Sequence, residues 1–232
     1  MTGAAQMEPA LILHVRPYQE SSAIVQMMTR DQGRLAGVLR GYRRKNRGQV
    51  AVQPFSVGTV SWMGRSDLVT IQKFESHHFI ALHGEALYAG FYVLELLTRL
   101  LRERQEEPRI FAAALQVLEA LEENDPLQPA LRTFELELLE QLGYGVEFTA
   151  AGAALRTDEV YRFEAQAGFR IIETGGRSHP STQQFSGAAL VAIAERNFTA
   201  LPTQEAAKRL ARAALAPLLG DKPLTSRKMF QR

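Results

Sequence analysis

Seven basic side chains, Arg34, Arg40, Arg43, Arg44, Lys45, Arg47 and Arg65, fall within residues 32–66, and no Asp or Glu lies among them. A segment without counter-charges cannot neutralise itself, so it suits an anionic partner. Tyr42, Phe55 and Trp62 lie inside the segment and Tyr18 just upstream. Cations meet phosphates and flat apolar faces meet bases, which together are what a groove for single-stranded nucleic acid requires. Tyr18, expected in the loop after the first strand, and Tyr42 are the stacking candidates. Trp62 sits inside a strand and reads as core.

Other chemistry has little to work with. No segment matches the phosphate-binding loop G-x-x-x-x-G-K-[ST], the dinucleotide fingerprint G-x-G-x-x-G after a strand, or the hydrolase elbow G-x-S-x-G. Asp158 and Glu159 are adjacent and would point to different sides of the chain, which makes them poor partners in acid–base catalysis. Cysteine is absent, so disulfides, thiolate metal sites and cysteine nucleophiles are excluded together. His77 and His78 are neighbours that would face opposite sides of a strand, and His14, His83 and His179 lack the spacing of a metal site. No catalytic residue, metal site or cofactor is expected.

The elements that must carry the basic segment read as a β domain. Leu11, Leu13 and Val15 alternate with Ile12 and His14, residues 23–29 form a second extended run, and Asp31, Gln32 and Gly33 turn into a third at 34–39. Residues 55–63 and 68–74 give two more strands. Five short strands with a long connection between the third and fourth fit a small OB-type barrel, whose face and loops commonly bind oligonucleotides. An SH3-like barrel would read similarly.

The period then changes. Leu87, Phe91, Leu94, Leu97 and Leu101 recur at helical spacing, Pro108 opens a second helix, and Asp125 with Pro126 is expected to cap a third lined by Leu127, Leu131, Phe134, Leu138 and Leu142. The three should pack as one helical unit. A small β excursion follows at about 146–178, with strands at 160–163 and 169–172, then a short helix at 186–194 and a longer one, capped by Thr203, that leads into a basic C-terminal segment. The expected class is therefore α+β, with an OB domain at 1–82 and a helical domain at 83–232.

At 232 residues and 46% hydrophobic content the chain can bury a substantial core. Its formal net charge of +2 hides a basic head (1–82, +5), an acidic middle (83–147, −8) and a basic tail (148–232, +5). No apolar run approaches the ~20 residues that span a bilayer, and no signal peptide is apparent, so the expectation is a cytoplasmic protein without membrane partners.

Six segments in chain order resemble the RecO family of bacterial DNA repair proteins: LHVRPYQESS (13–22), QPF (53–55), YAGFYVLELL (88–97), LRTFELELL (131–139), LGYG (142–145) and GDKPLTSR (220–227). The resemblance implies a recombination mediator that binds single- and double-stranded DNA, anneals complementary strands, and works with RecR to load RecA onto DNA covered by single-stranded DNA-binding protein. It also implies a grip on the acidic, Phe-ended C-terminal tail of that protein. Arg132, in the LRTF motif, is the cation expected to meet the tail beside Leu131, Phe134 and Leu138; otherwise it would be a surface ion pair with Glu135. Arg209 and Arg212 are the alternative. Many members of the family carry a four-cysteine zinc module after LGYG; residues 146–168 have no cysteine, so this chain reads as a zinc-free member. A protein-interaction adaptor with an OB module for RNA or DNA is the competing reading, and a nucleic-acid enzyme a distant third.

If the basic run supplies phosphate contacts, changing Arg43, Arg44, Lys45 and Arg47 together to Ala weakens DNA binding for all sequences alike. Loss of two to four contacts makes the log–log salt slope for single strands less negative by about 1.4 to 2.8. An unchanged slope in a fluorescence titration would remove the assignment.

Overall fold

A computed structural model of the chain describes residues 7–42, 52–172 and 183–226. It divides into two compact units, Met1–Asn124 with Leu224–Arg232, and Asp125–Pro223.

In the first unit, β1 (Glu8–Tyr18), β2 (Ser22–Thr29), β3 (Gly33–Leu39), β4 (Ser56–Met63) and β5 (Leu68–Phe79) close into a barrel in the order β1-β2-β3-β5-β4. All pairs are antiparallel except β3 with β5. The expected five-stranded OB-type barrel is thus the observed architecture. Its interior is filled by Ala10, Ile12, Val25, Met27, Leu35, Val60, Val69 and Ile71, with Trp62 packed against them as the sequence suggested. Strand alternation supplies these residues: in β3, Leu35 and Gly37 are buried while Arg34, Ala36 and Val38 are partly exposed. β1 and β5 run several residues longer than the apolar alternation indicated, because their ends carry polar side chains on pairing backbone.

Two helices belong to the same unit. α1 (Gly84–Leu100) packs on β1 and against α2 (Pro108–Glu122). Phe55 and Phe91 meet edge to face at 4.9 Å, and Gly90 permits the approach: a Cβ there would lie 2.3 Å from Leu82 Cδ1. Glu122, at the end of α2, accepts the Ala81 amide at 2.7 Å and lies 2.7 Å from His78 Nε2. The connector between α1 and α2 docks on the start of β3, where Gly33 is required: its φ is +66°, and a Cβ would fall 1.8 Å from the Gln105 carbonyl oxygen.

The sequence grouped three helices in one unit, whereas α3 (Leu127–Gln141) belongs to the second unit. Apolar periodicity identifies a helix face but not what that face packs against. Asp125 does not cap α3; Pro126 stands at the N-cap and no side chain caps the helix. The second unit continues with β6 (Thr149–Ala150), β7 (Ala153–Ala154), β8 (Val160–Glu164), β9 (Gly168–Ile171), β10 (Gln184–Ser186), α4 (Gly187–Ala194) and α5 (Leu201–Leu219). The expected β8–β9 hairpin is present inside a five-stranded sheet of order β10-β8-β9-β6-β7. Phe163 and Phe169 at 5.0 Å, Phe148 and Phe169 at 5.9 Å, and Tyr161 form its aromatic packing. Ser186 caps α4 by accepting the Ala189 amide. α5 begins two residues before Thr203, which is buried within the helix rather than capping it.

The chain returns to the first unit at Leu224, which is buried. There the Glu95 carboxylate of α1 accepts the Thr225 amide (2.8 Å), the Ser226 amide (2.8 Å) and the Ser226 hydroxyl (2.6 Å). Burial alone would raise the Glu95 pKa, but these three donors and nearby Arg99 together hold it below the ordinary 4.5. A carboxyl group whose pKa is depressed by folding contributes stability above its unfolded pKa, and that contribution disappears as pH falls through the folded value. Glu95→Gln should therefore lower stability near neutral pH by about 1.5 kcal/mol or more, the range for hydrogen bonds to a charged group. Below pH 4.5 the variant and the parent should converge in urea unfolding; a constant difference at every pH would contradict the assignment.

Candidate nucleic-acid interface

A shift in register between Ile12 and His14 places an extra residue in β1. Ile12 points into the barrel, and past the bulge Val15 packs against the core while His14, Arg16 and Tyr18 turn outward and are exposed. Pairing then aligns the outward positions of three strands, of which the middle ones, Ser22 and Ile24, are buried and Arg16, Tyr18 and Arg40 around them exposed. Arg16 lies opposite Ile24, which lies opposite Val38; Tyr18 lies opposite Ser22. Ala23 pairs with Leu39, so Arg40 follows on beside Ser22. With strands ~4.8 Å apart, Tyr18 and Arg40 flank Ser22 at a spacing of about 10 Å. Tyr18 is 39% exposed, Arg16 and Arg40 are exposed, and Tyr42 is half-buried. Tyr18 therefore ends a strand rather than lying in a loop, a more rigid platform than the sequence suggested.

Arg16 completes this face and was missed because it lies outside the acid-free segment. Its spacing of two from Tyr18 was the available signal, since residues i and i+2 share a strand face.

The other predicted cations separate. Arg34 and Arg40 stand at opposite ends of β3, about 20 Å apart at ~3.3 Å per residue. The Arg34 side chain is only 14% exposed; it pairs with Glu103 at 3.2 Å and its Nε donates to the Leu101 carbonyl at 3.2 Å. Its charge is engaged in holding the α1–α2 connector, leaving little for a phosphate. Arg65 is exposed on the β4–β5 turn, and the pairing of Ala36 with Leu68 puts that turn near the Arg34 end of β3. Arg43, Arg44, Lys45 and Arg47 lie outside the described residues.

The second unit holds a different cation cluster. Arg132 is not on the surface: it and Glu135 form a 2.8 Å ion pair with side chains 5% and 1% exposed, and Arg132 Nε has no hydrogen-bond partner. The i, i+3 spacing resembled an exposed helix pair because helical periodicity alone does not reveal that α5 covers this side of α3. On α5, burial and then the charges of Arg212 and Arg132 push the Lys208 pKa down. Glu135 and Glu205 offset part of that push; at the exposed edge Lys208 is half-buried and Arg212 exposed, where a further anion would favour their charged forms. Arg209 instead donates to the Gln184 carbonyl at 3.0 Å and lies 4.8 Å above the Phe185 ring. Of the three residues expected at a partner tail, Arg132 and Arg212 share this cluster and Arg209 braces the small sheet.

Among the described residues no group of three His, Cys, Asp or Glu side chains is arranged to hold a metal ion, and no helix is long and apolar enough to cross a membrane.

A closed OB-type barrel with a cationic, tyrosine-bearing face, continued by helices and a small sheet, defines a class of nucleic-acid-binding protein. The family model for the N-terminal domain of recombination protein O matches residues 5–79, and that for its C-terminal domain residues 82–228. The DNA repair protein RecO of Cellvibrio japonicus is 38% identical over 231 residues, covering 97% of this chain and 96% of its own. That of Stutzerimonas stutzeri is 42% identical over 232 residues (98% and 94%), and that of Haemophilus influenzae 36% over 233 residues (97% and 96%). The chain belongs to the RecO family of DNA repair proteins.

Burial changes what Arg132 does when removed. Arg132→Ala breaks an ion pair in a desolvated site, so it should destabilise the fold by about 3 to 5 kcal/mol, instead of leaving it intact as a surface pair would. Replacing both residues with apolar side chains of similar volume should recover most of that loss. A denaturation midpoint within error of the parent for Arg132→Ala would contradict the buried pair.

Proposed function

We propose that this chain is a recombination mediator that binds single- and double-stranded DNA, anneals complementary strands, and acts with RecR to load RecA onto DNA coated by single-stranded DNA-binding protein. The OB domain, residues 1–82, does the DNA work. The observation that carries this reading is the outward face of β1, β2 and β3, where Arg16 and Arg40 flank Tyr18. Cations on the face neutralise phosphates, Tyr18 stacks on a base, and a strand so screened no longer repels its complement. Arg43, Arg44, Lys45 and Arg47 follow Arg40 in the chain and add cationic charge without a neighbouring acid. No covalent step is needed, so the protein works as a binding and annealing factor at the nucleoid rather than as an enzyme.

The cation cluster of α3 and α5 supports a second contact, with the acidic C-terminal tail of single-stranded DNA-binding protein. Lys208 and Arg212 meet the tail's carboxylates, while the charge of Arg132 stays paired with Glu135.

Annealing of complementary oligonucleotides, bare or coated with single-stranded DNA-binding protein, separates the two contacts. Arg16→Ala with Arg40→Ala should slow annealing of both substrates, and two lost phosphate contacts should flatten the single-strand salt slope by about 1.4. Lys208→Ala with Arg212→Ala should slow only the coated reaction. Bare-strand annealing at the parental rate in the first variant would overturn the DNA face, and coated-strand annealing at the parental rate in the second would overturn the tail site.

A further inference from the structure

The turn between β4 and β5 exposes two large apolar side chains, Met63 at 60% and Leu68 at 40%. Both belong to the outward side of the barrel: Met63 pairs with exposed Thr70, and Leu68 with Ala36 on β3, whose outward residues continue through Val38 to Arg40. The turn is built to hold them. Gly64 takes the positive φ of +98°, the Ser66 hydroxyl donates to the Leu68 carbonyl at 2.9 Å, and the Arg104 guanidinium donates to the Ser66 carbonyl. Arg65 and Asp67 on the same turn carry opposite charges, so the turn adds almost no net charge. What it offers a polyanion is apolar surface.

Resting on the DNA-binding reading above, we infer that Met63 and Leu68 form an apolar jaw that takes the bases of a single strand bound on the β1–β3 face. Tyr18 stands at the other end of that face, so the strand's bases meet an aromatic ring at one end and an aliphatic pair at the other. An unpaired base exposes a flat apolar face that an exposed aliphatic pair can cover. A paired duplex keeps its bases stacked inside and offers nothing to such a jaw. The consequence is a preference for unpaired DNA that arises from bases rather than phosphates.

The test uses the full-length protein and an oligothymidylate carrying 2-aminopurine. Met63→Ala with Leu68→Ala, both exposed and so expected to leave the melting temperature unchanged, should weaken single-strand binding about tenfold, by analogy with loss of one base-stacking contact. Duplex affinity and the salt slope should stay at parental values, because no charge is removed. Met63→Phe should strengthen single-strand binding and enlarge the 2-aminopurine response. Parental single-strand affinity in the double variant, alongside weakened binding by Arg16→Ala with Arg40→Ala, would overturn the jaw alone. An equal loss for single strand and duplex would also overturn it, since bases would then not be the contact. If neither variant changed binding, the DNA face itself would fail and the jaw with it.

Discussion

Strand side chains alternate with a period of two, so one extra residue reverses every side chain beyond it. The bulge between Ile12 and His14 uses this constraint, and the proposed DNA face depends on it. Ahead of the bulge, Ala10 and Ile12 fill the barrel; after it, Val15 takes the inward role and Arg16 and Tyr18 are released to solvent. Without the bulge the inward positions would fall to Arg16 and Tyr18, and burying an unpaired guanidinium in that core would cost several kcal/mol. The same segment thus serves the core in its first half and, in the proposed function, a DNA surface in its second.

The two charged regions perform different tasks because their surroundings differ. On the barrel, Arg16 and Arg40 are exposed and can gain and lose counterions, the condition for salt-dependent, sequence-tolerant binding. In the second unit, Arg132 is buried and Lys208 half-buried, where a carboxylate is worth more than it would be in water. The small sheet beside this cluster is packed by Phe148, Tyr161, Phe163 and Phe169.

Much of the fold was legible in the sequence. Alternation, extended runs and turn signals located all five barrel strands, helical spacing found α1 and α3, and Pro108 marked the start of α2. Less legible was anything set by contacts between distant segments. The acid-free segment read as one patch, yet β3 carries Arg34 and Arg40 to opposite ends and Glu103 claims the former. Asp125 and Thr203 had the chemistry of helix caps, but Pro126 and Ala200 occupy the cap positions. The motifs at 88–97 and 220–227 gave no hint that Glu95 of one grips Thr225 and Ser226 of the other. Arg132 was singled out for good reason, but its burial depends on α5, some 70 residues further along the chain. Arg16 is marked by strand parity, two residues from Tyr18, and not by charge density, since it lies outside the acid-free segment.

The central claim is that single-stranded DNA lies on the outward face of β1, β2 and β3. Hydrogen–deuterium exchange of the full chain with and without a saturating oligothymidylate tests it most directly. The account predicts slower exchange on binding in peptides covering the end of β1, the turn into β2 and the end of β3, around Arg16, Tyr18 and Arg40, with α3 and α5 unchanged. Protection confined to α3 and α5, with the barrel peptides exchanging at the free rate, would contradict it.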